Sequence, residues 1–487
     1  MSSRLSRRTL VSRASALGAG AAIGLPMLAR AQATPGASPA AAAGSSTQTE
    51  AGKQVIADIK AKGGKLKILS AVVGGKTPEE DALFAQEITR LTGVEVDLVH
   101  PTAEYDQKLQ ADLAAGVEYD LIYTNQDTVL RLADQDVLTD LTERVQNSAF
   151  LQDPSVIPTD EWKMLEDDGK FYSVFQKFEG SRMLTTRQDW LDKLGLDTPK
   201  TLDDVYNTMV AFRDGDPVGD GSQPLGLSTA GTYDIQPFMS SEGIYPGYVE
   251  VDGKRTIPYA TEAAIPVYEF LAKLYSEGLY DPNFATAETA DMRNLFMTNG
   301  VSFVTYWDTW VGLFNSTVQD QDPDSPFNAV GIAACEGPNG VILSRGQPSV
   351  WTIPVNAPSP DLAFLFIEWW NTIPGITLGS LGILDHDYTV TDGTYALTEI
   401  GKEHNMDHGD PTPYNSNWVN PIGELPGLKA AQEITKAHGY LADVGPDWST
   451  ITPIIDQYTI QSILGDISPE DAVKGMQQDL SDGGFID

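Results

Sequence analysis

Between residues 65 and 145 the chain alternates two hydrophobic periods, and this alternation limits the folds open to it. "KLKILSAVV" (65–73) reads as a strand, and "PEEDALFAQEITRLTG" (78–93) as an amphipathic helix with Pro78 and three acids in its first turn and Gly93 at its end. "VEVDLVH" alternates again, "EYDQKLQADLAAG" is helical, "YDLIYT" is a third strand, and "TVLRLADQDVLTDLTERV" a third helix. A βαβαβα run predicts a parallel sheet covered by helices, an α/β fold. Ligands of such sheets bind beyond the carboxyl ends of the strands, which puts 71–75 and Asn125, Gln126 and Asp127 at a cleft rim. The competing reading is that these polar residues only cap the next helix.

At 487 residues the chain is too long for one ordinary core, so a second lobe is expected. The pattern changes near Gly169, where "GKFYSVFQKF" crosses into new material. Helices follow in "TLDDVYNTMVAFRDG", which starts at a Thr201 cap, and in "IPVYEFLAKLYSEGLYDP". The predicted division is lobe 1 over 63–174 and 331–375, and lobe 2 over 175–330 and 376–487. Two final helices are expected around 427–438 and 469–481.

The N-terminus reads as an export leader. Arg4, Arg7, Arg8 and Arg13 precede a weakly apolar stretch and an A-x-A site at 29–31, and "SRRTLV" resembles a twin-arginine signal. Residues 32–62, rich in Ala, Ser, Pro and Gly at their start, are expected to form a flexible linker. The net charge is −36; without the five arginines of residues 1–31 there are 27 basic and 68 acidic residues, or −41. Such a surface repels phosphate backbones and anionic membranes, which argues against a nucleic-acid partner. The single cysteine, Cys335, forms no internal disulfide and is expected to be a small buried side chain.

Four stretches in order carry a resemblance. "KLKILS…LTGVEVDLVH", "DWLDKLGLDTPKTLDDVY", "LYSEGLYDPNFAT" and "LFMTNGVSFVTYWDTW" resemble segments of the extracellular solute-binding proteins of ABC importers, family 1. The third is nearest the branch with the LplA lipoprotein and the alginate-binding proteins. The resemblance implies a two-lobed periplasmic-binding-protein fold, each lobe a sheet flanked by helices, joined by hinge strands. It also implies capture of a sugar or oligosaccharide between the lobes, delivery to membrane permease subunits, no catalysis, and a monomer that is periplasmic or held at the cell surface. The chain departs from the lipoprotein branch in lacking an N-terminal cysteine.

The resemblance places Trp310, ten residues after Gly300, where the family carries a tryptophan that stacks on a sugar ring. An aromatic plane buries area against the C–H face of a pyranose at little entropic cost. Trp307 and Asp308 beside it, Trp351 in "SVWTIP" and Trp418 in the loop-rich end are further candidates. Trp369 and Trp370, on an amphipathic helix, are expected in the core. No resident cofactor is expected. "RDGDPVGDGSQPLG" (213–226) resembles a calcium loop of the alginate-binding branch, with Asp214, Asp216 and Asp220 as candidate ligands. Val218 replaces an oxygen donor there, and a metal-free turn is the preferred reading. "HNMDHGD" (404–410) would bring His404 and His408 to one metal if helical, but Gly409 and Pro411 favour a solvated loop. A secreted carbohydrate-active enzyme is the alternative, since any acidic chain offers carboxylate pairs.

Overall fold

The structure, a computed structural model, describes residues 45–101, 105–231, 233–404, 406–445 and 447–487. The export leader and the first part of the linker lie outside the described residues. Among the described residues, a five-stranded and a four-stranded sheet, each with its own core, make an α/β molecule of two lobes. No helix among the described residues is long and apolar enough to cross a membrane.

The first sheet runs Val94–Val99, Gly64–Leu69, Leu121–Asn125, Ser349–Thr352, Ser173–Lys177. Its first three strands are parallel; Ser349–Thr352 is antiparallel to both neighbours. The helix Pro78–Thr92 begins where the sequence predicts, with Thr77 accepting from the Glu80 amide and Pro78 in the first turn. It ends on Gly93 at φ 74°, a left-handed conformation that glycine adopts at no steric cost. Phe84 and Ile88, four apart, put one face into the core. Trp351, Phe366, Trp369 and Trp370 form an aromatic cluster there, all fully buried.

The end of the predicted linker, which lies within the described residues, is helical. Glu50–Lys62 is a helix capped by Thr49, and its Val55 and Ile59 are buried in the first core. The Ala/Ser/Pro-rich start of the predicted linker obscures this i, i+4 pair.

The second sheet runs Ala329–Ile332, Arg182–Arg187, Val301–Trp307, Leu225–Ser228. Arg182–Arg187 is antiparallel to both neighbours, and Leu225–Ser228 is parallel to Val301–Trp307. Helix Leu202–Gly215 starts with the Thr201–Asp204 capping box. The last two helices, Trp448–Leu464 and Pro469–Asp482, contribute Ile451, Ile463, Val473 and Met476 to this core. Cys335 is buried in it as a free thiol.

The chain crosses between the lobes at 178–181, between Ile332 and Ser349, and again ahead of the helix Leu428–His438. The first two crossings are tied together: Gly346 N donates to Gly180 O at 3.0 Å and Arg345 Nε to Glu179 O at 3.1 Å. Residues 376–418 pack on the first lobe rather than the second, through Leu378 and Ile383, Gln176 Nε2 to Gly409 O (2.9 Å) and Asn417 Nδ2 to Ser155 Oγ (2.7 Å). Ala329–Ile332, in turn, belongs to the second sheet. These limits differ from those drawn on the sequence because loops without periodicity give no sign of which core they cover.

Candidate ligand-binding cleft

The strand Ser173–Lys177 delivers Lys177 to the mouth of the first lobe, and Phe178, Glu179 and Gly180 carry the chain across. On the far side, Val301–Trp307 ends in Trp307, and Trp310 follows in the first turn of the helix Thr309–Gln321. These residues face one cavity of about 390 Å³, closed from the first lobe by Lys76, His404 and Asp407. The volume lies in the range of small-molecule sites.

Both tryptophans are half-buried. Trp310 contacts Tyr306 and Phe314 at centroid distances of 5.6 and 5.5 Å, and the Arg293 guanidinium stands 4.1 Å from its ring centre. Trp307 carries Arg182 at 4.4 Å. Each indole is therefore held by a cation on one side while it borders the cavity, a geometry that fixes a stacking platform.

The cleft charges are arranged in pairs. Lys177 Nζ lies 3.7 Å from Asp407 Oδ2. Burial pushes the Lys177 pKa down, but the carboxylate of Asp407, with Tyr123 and Glu179, outweighs it and holds the ammonium above its ordinary value. Burial pushes Asp407 up, and Lys177 and Lys76 bring it below the usual carboxylate range. Glu179 is raised, chiefly by burial, and accepts from Ser349 Oγ at 2.6 Å. Donors and acceptors thus alternate on the wall, which suits a polyhydroxyl ligand better than a bare ion.

The other predicted site residues are distributed as follows. Asp308 lies at the cavity wall but is fully buried. Its carboxylate accepts from Thr309 N at 2.7 Å and Thr435 Oγ1 at 2.6 Å, so it caps a helix and is not presented to a ligand. Asn125 caps the next helix through Thr128 N at 2.9 Å. Gln126 is buried, taking Ser173 Oγ at 2.8 Å. Trp351 is 0% exposed and packed between Tyr123 and Trp370, which corrects its place among the ligand residues. Its strand is covered on both faces, so no ring on it reaches the cleft. Trp418 is half-buried on the first lobe, its Nε1 donating to Thr377 Oγ1 at 3.1 Å, outside the tryptophan cavity. Asp127 lines a separate cavity of about 150 Å³ with Tyr259, Arg345, Trp448 and Asp456. Burial and the charge of Asp443 push its carboxyl up to about 6.

Lys76, Lys177, Glu179 and Asp407 were not among the ligand residues expected from the sequence, and His404 was weighed only as a metal ligand. The Glu-Gly pair between two strand-like runs at 173–187 was the available signal for 178–181; nothing local marks the others.

The acids of 213–226 turn to their own surroundings. Asp214 pairs with Arg213 at 2.8 Å, Asp216 accepts from Gly219 N at 2.8 Å, and Asp220 accepts from Ser222 N at 2.9 Å. Among the described residues, the grouping of metal-binding side chains is instead Asp387, His404 and His408.

Comparison with known proteins shows the family and the fold. The family model described as bacterial extracellular solute-binding protein matches residues 74–374, more than half of the chain. Lipoprotein LipO of Bacillus subtilis (strain 168) is 22% identical over 357 residues, covering 69% of each chain. The polygalacturonan/rhamnogalacturonan-binding protein YtcQ of the same organism is 27% identical over 303 residues, 60% of this chain and 59% of that one, so the match spans less than two thirds of its length. Among solved structures, alginate-binding protein AlgQ2 without calcium ion superposes with a TM-score of 0.64 at 18% identity, over 88% of this chain and 96% of that one.

Proposed function

From the premise that this chain belongs to the bacterial extracellular solute-binding protein family, we propose that it captures a sugar or oligosaccharide in the cleft bordered by Trp307 and Trp310. Closure of the two lobes about the crossings at 178–181 and 345–347 would bury the ligand. The protein would then deliver it as a monomer to the permease subunits of an ABC importer. The observation that carries this reading is the pair of half-buried indoles on one wall of a cavity between lobes, opposite Lys177 and Asp407. YtcQ, a polygalacturonan/rhamnogalacturonan-binding protein, and AlgQ2, an alginate-binding protein, support the ligand class.

We place the protein outside the cytoplasm, in the periplasm or at the cell surface, exported by a twin-arginine leader. It binds rather than cleaves. Titration calorimetry against a panel of mono- and oligosaccharides tests the reading, with Trp310→Ala as control. One tight ligand per chain is expected, weakened about tenfold or more by the substitution. No heat with any saccharide, or unchanged affinity in the variant, would overturn it. Recovery of the bound saccharide unaltered after prolonged incubation separates it from a carbohydrate-active enzyme.

A further inference from the structure

The stretch after Ile383 holds a constellation of which only His404 borders the cleft. His404 closes the short helix Glu399–Glu403, and His408 follows in a turn that packs on the first lobe. The sequence favours a solvated loop here; the structure turns both imidazoles inward. His408 and Asp387 are 1% and 0% exposed. The reason is tertiary: the His408 ring stacks on Phe84 at 5.8 Å, a contact that local sequence does not announce.

The three side chains converge. His404 Nδ1 is 2.6 Å from Asp387 Oδ1, and His408 Nε2 is 3.3 Å from the same oxygen. One ligand-type atom from each lies within 4.8 Å of the other two. The second contact is not aligned as a hydrogen bond, and the buried His408 Nε2 has no hydrogen-bond partner. Its tautomer is fixed from behind: Nδ1 is 2.9 Å from the carbonyl oxygen of Gly74, which only accepts, so the proton sits on Nδ1. When the ring is neutral, the Nε2 lone pair faces the carboxylate oxygen at 3.3 Å, and a cation between the two would engage both.

The surroundings are those of a held ligand set. Asp387 Oδ2 accepts from Ile383 N at 2.8 Å and lies 3.2 Å from His386 Nδ1, which turns Oδ1 toward the two histidines. Glu80 Oε1 lies 3.5 Å from His404 Nε2, where an outer carboxylate orients an imidazole. Gly382, at φ +85°, leaves the approach open: a Cβ there would stand 2.5 Å from His408 Nε2.

We propose that Asp387, His404 and His408 bind one divalent transition-metal ion of the zinc class, through Asp387 Oδ1, His404 Nδ1 and His408 Nε2. Two imidazoles and one carboxylate favour zinc or its neighbours over calcium or magnesium, which take oxygen. Three protein ligands leave a fourth position for water. Bonds near 2.0 Å at a tetrahedral angle separate ligand atoms by about 3.3 Å. The His408–Asp387 pair already has that spacing, and His404 Nδ1, 2.6 Å from Asp387 Oδ1, would move back by about 0.7 Å. The ion would pin the loop carrying His404 and Asp407, one wall of the cleft, to the helix that carries Glu80. The proposal does not depend on what the cleft binds.

The purified chain without a polyhistidine tag, stripped with EDTA and dialysed, is titrated with zinc by calorimetry and analysed for retained metal by mass spectrometry. One equivalent with micromolar or tighter affinity is expected, with a rise in the thermal midpoint. Cobalt(II) should give an absorption spectrum of nitrogen and oxygen ligation. His404→Gln and His408→Gln should each weaken zinc binding at least 100-fold. If the buried His408 variant does not fold, the more exposed His404 variant, checked by circular dichroism, decides. Absence of stoichiometric zinc in the wild-type chain, equal uptake by a folded His404→Gln variant, or preference for calcium would overturn the assignment.

Discussion

A Cβ on Gly180 would stand 1.9 Å from Oδ1 of Asp308, so the first crossing between the lobes touches the cap of the tryptophan helix where no side chain fits. Asp308 cannot yield, because Thr309 and Thr435 hold both of its oxygens. Gly180→Ala is therefore expected to destabilise the protein by about 1–3 kcal/mol, the cost of overpacking. In an Asp308→Ala background, which loses the cap itself, the same change should cost less. Denaturant unfolding of the four proteins of the cycle measures the coupling; simple additivity would show that the contact is not the cause.

The tryptophans divide into two classes with opposite expected phenotypes. Trp351→Ala empties a fully buried site and should cost about 3–5 kcal/mol of stability while the folded fraction keeps its ligand affinity. Trp310→Ala, at a half-buried site, should lower the thermal midpoint less than Trp351→Ala. Its loss of an aromatic face worth about 1.5–3 kcal/mol would weaken binding roughly ten- to a hundredfold. Calorimetric scanning and ligand titration on both variants separate the classes, and a reversed pattern would remove Trp310 from the site.

This division also marks how far the sequence was readable. The helix 78–92 was legible at both ends because Pro78 and Gly93 act locally, while its Thr77 cap emerges only from the structure. Trp310 was legible through the resemblance of its segment, not through periodicity. Trp351 was not, since a strand flanked by antiparallel neighbours and covered on both faces reads as one apolar run. Asn125 and Gln126 stand at the carboxyl end of a sheet strand, as predicted, but one is spent on a cap and the other on Ser173. The first-lobe wall was illegible for a different reason. Gln176 meets Gly409 across 233 residues, and no local pattern encodes such a contact.

Asp127 predicts a pH dependence. Its carboxyl is raised from 3.8 to about 6, first by burial and then by Asp443. The folded state therefore holds this proton more tightly than the unfolded chain, and stability falls as pH rises from about 4 to about 6. A shift of this size bounds the loss at about 3 kcal/mol, with less expected because the group retains some solvent contact. Asp127→Asn should be the more stable protein at pH 7 by about 1–3 kcal/mol and equal to wild type near pH 4. Urea unfolding at both pH values checks this; a constant difference between the two proteins would contradict it.

Lys177 and Asp407 form a half-buried pair 3.7 Å apart on the cleft wall, with side-chain exposures of 22% and 32%. Removing one partner leaves the other charge poorly compensated, whereas removing both takes away the conflict with the attraction. Lys177→Met should cost about 1–3 kcal/mol, less than for a fully buried pair because water still reaches both groups. Lys177→Met/Asp407→Asn should recover part of that loss. Ligand affinity should fall in both proteins, because the single variant loses an ammonium donor and the double variant also loses carboxylate acceptors on the cavity wall. Unfolding and ligand titration on the two proteins give separate readouts. If the double variant were no more stable than Lys177→Met, the lysine would be contributing through packing of its stem and not through its charge.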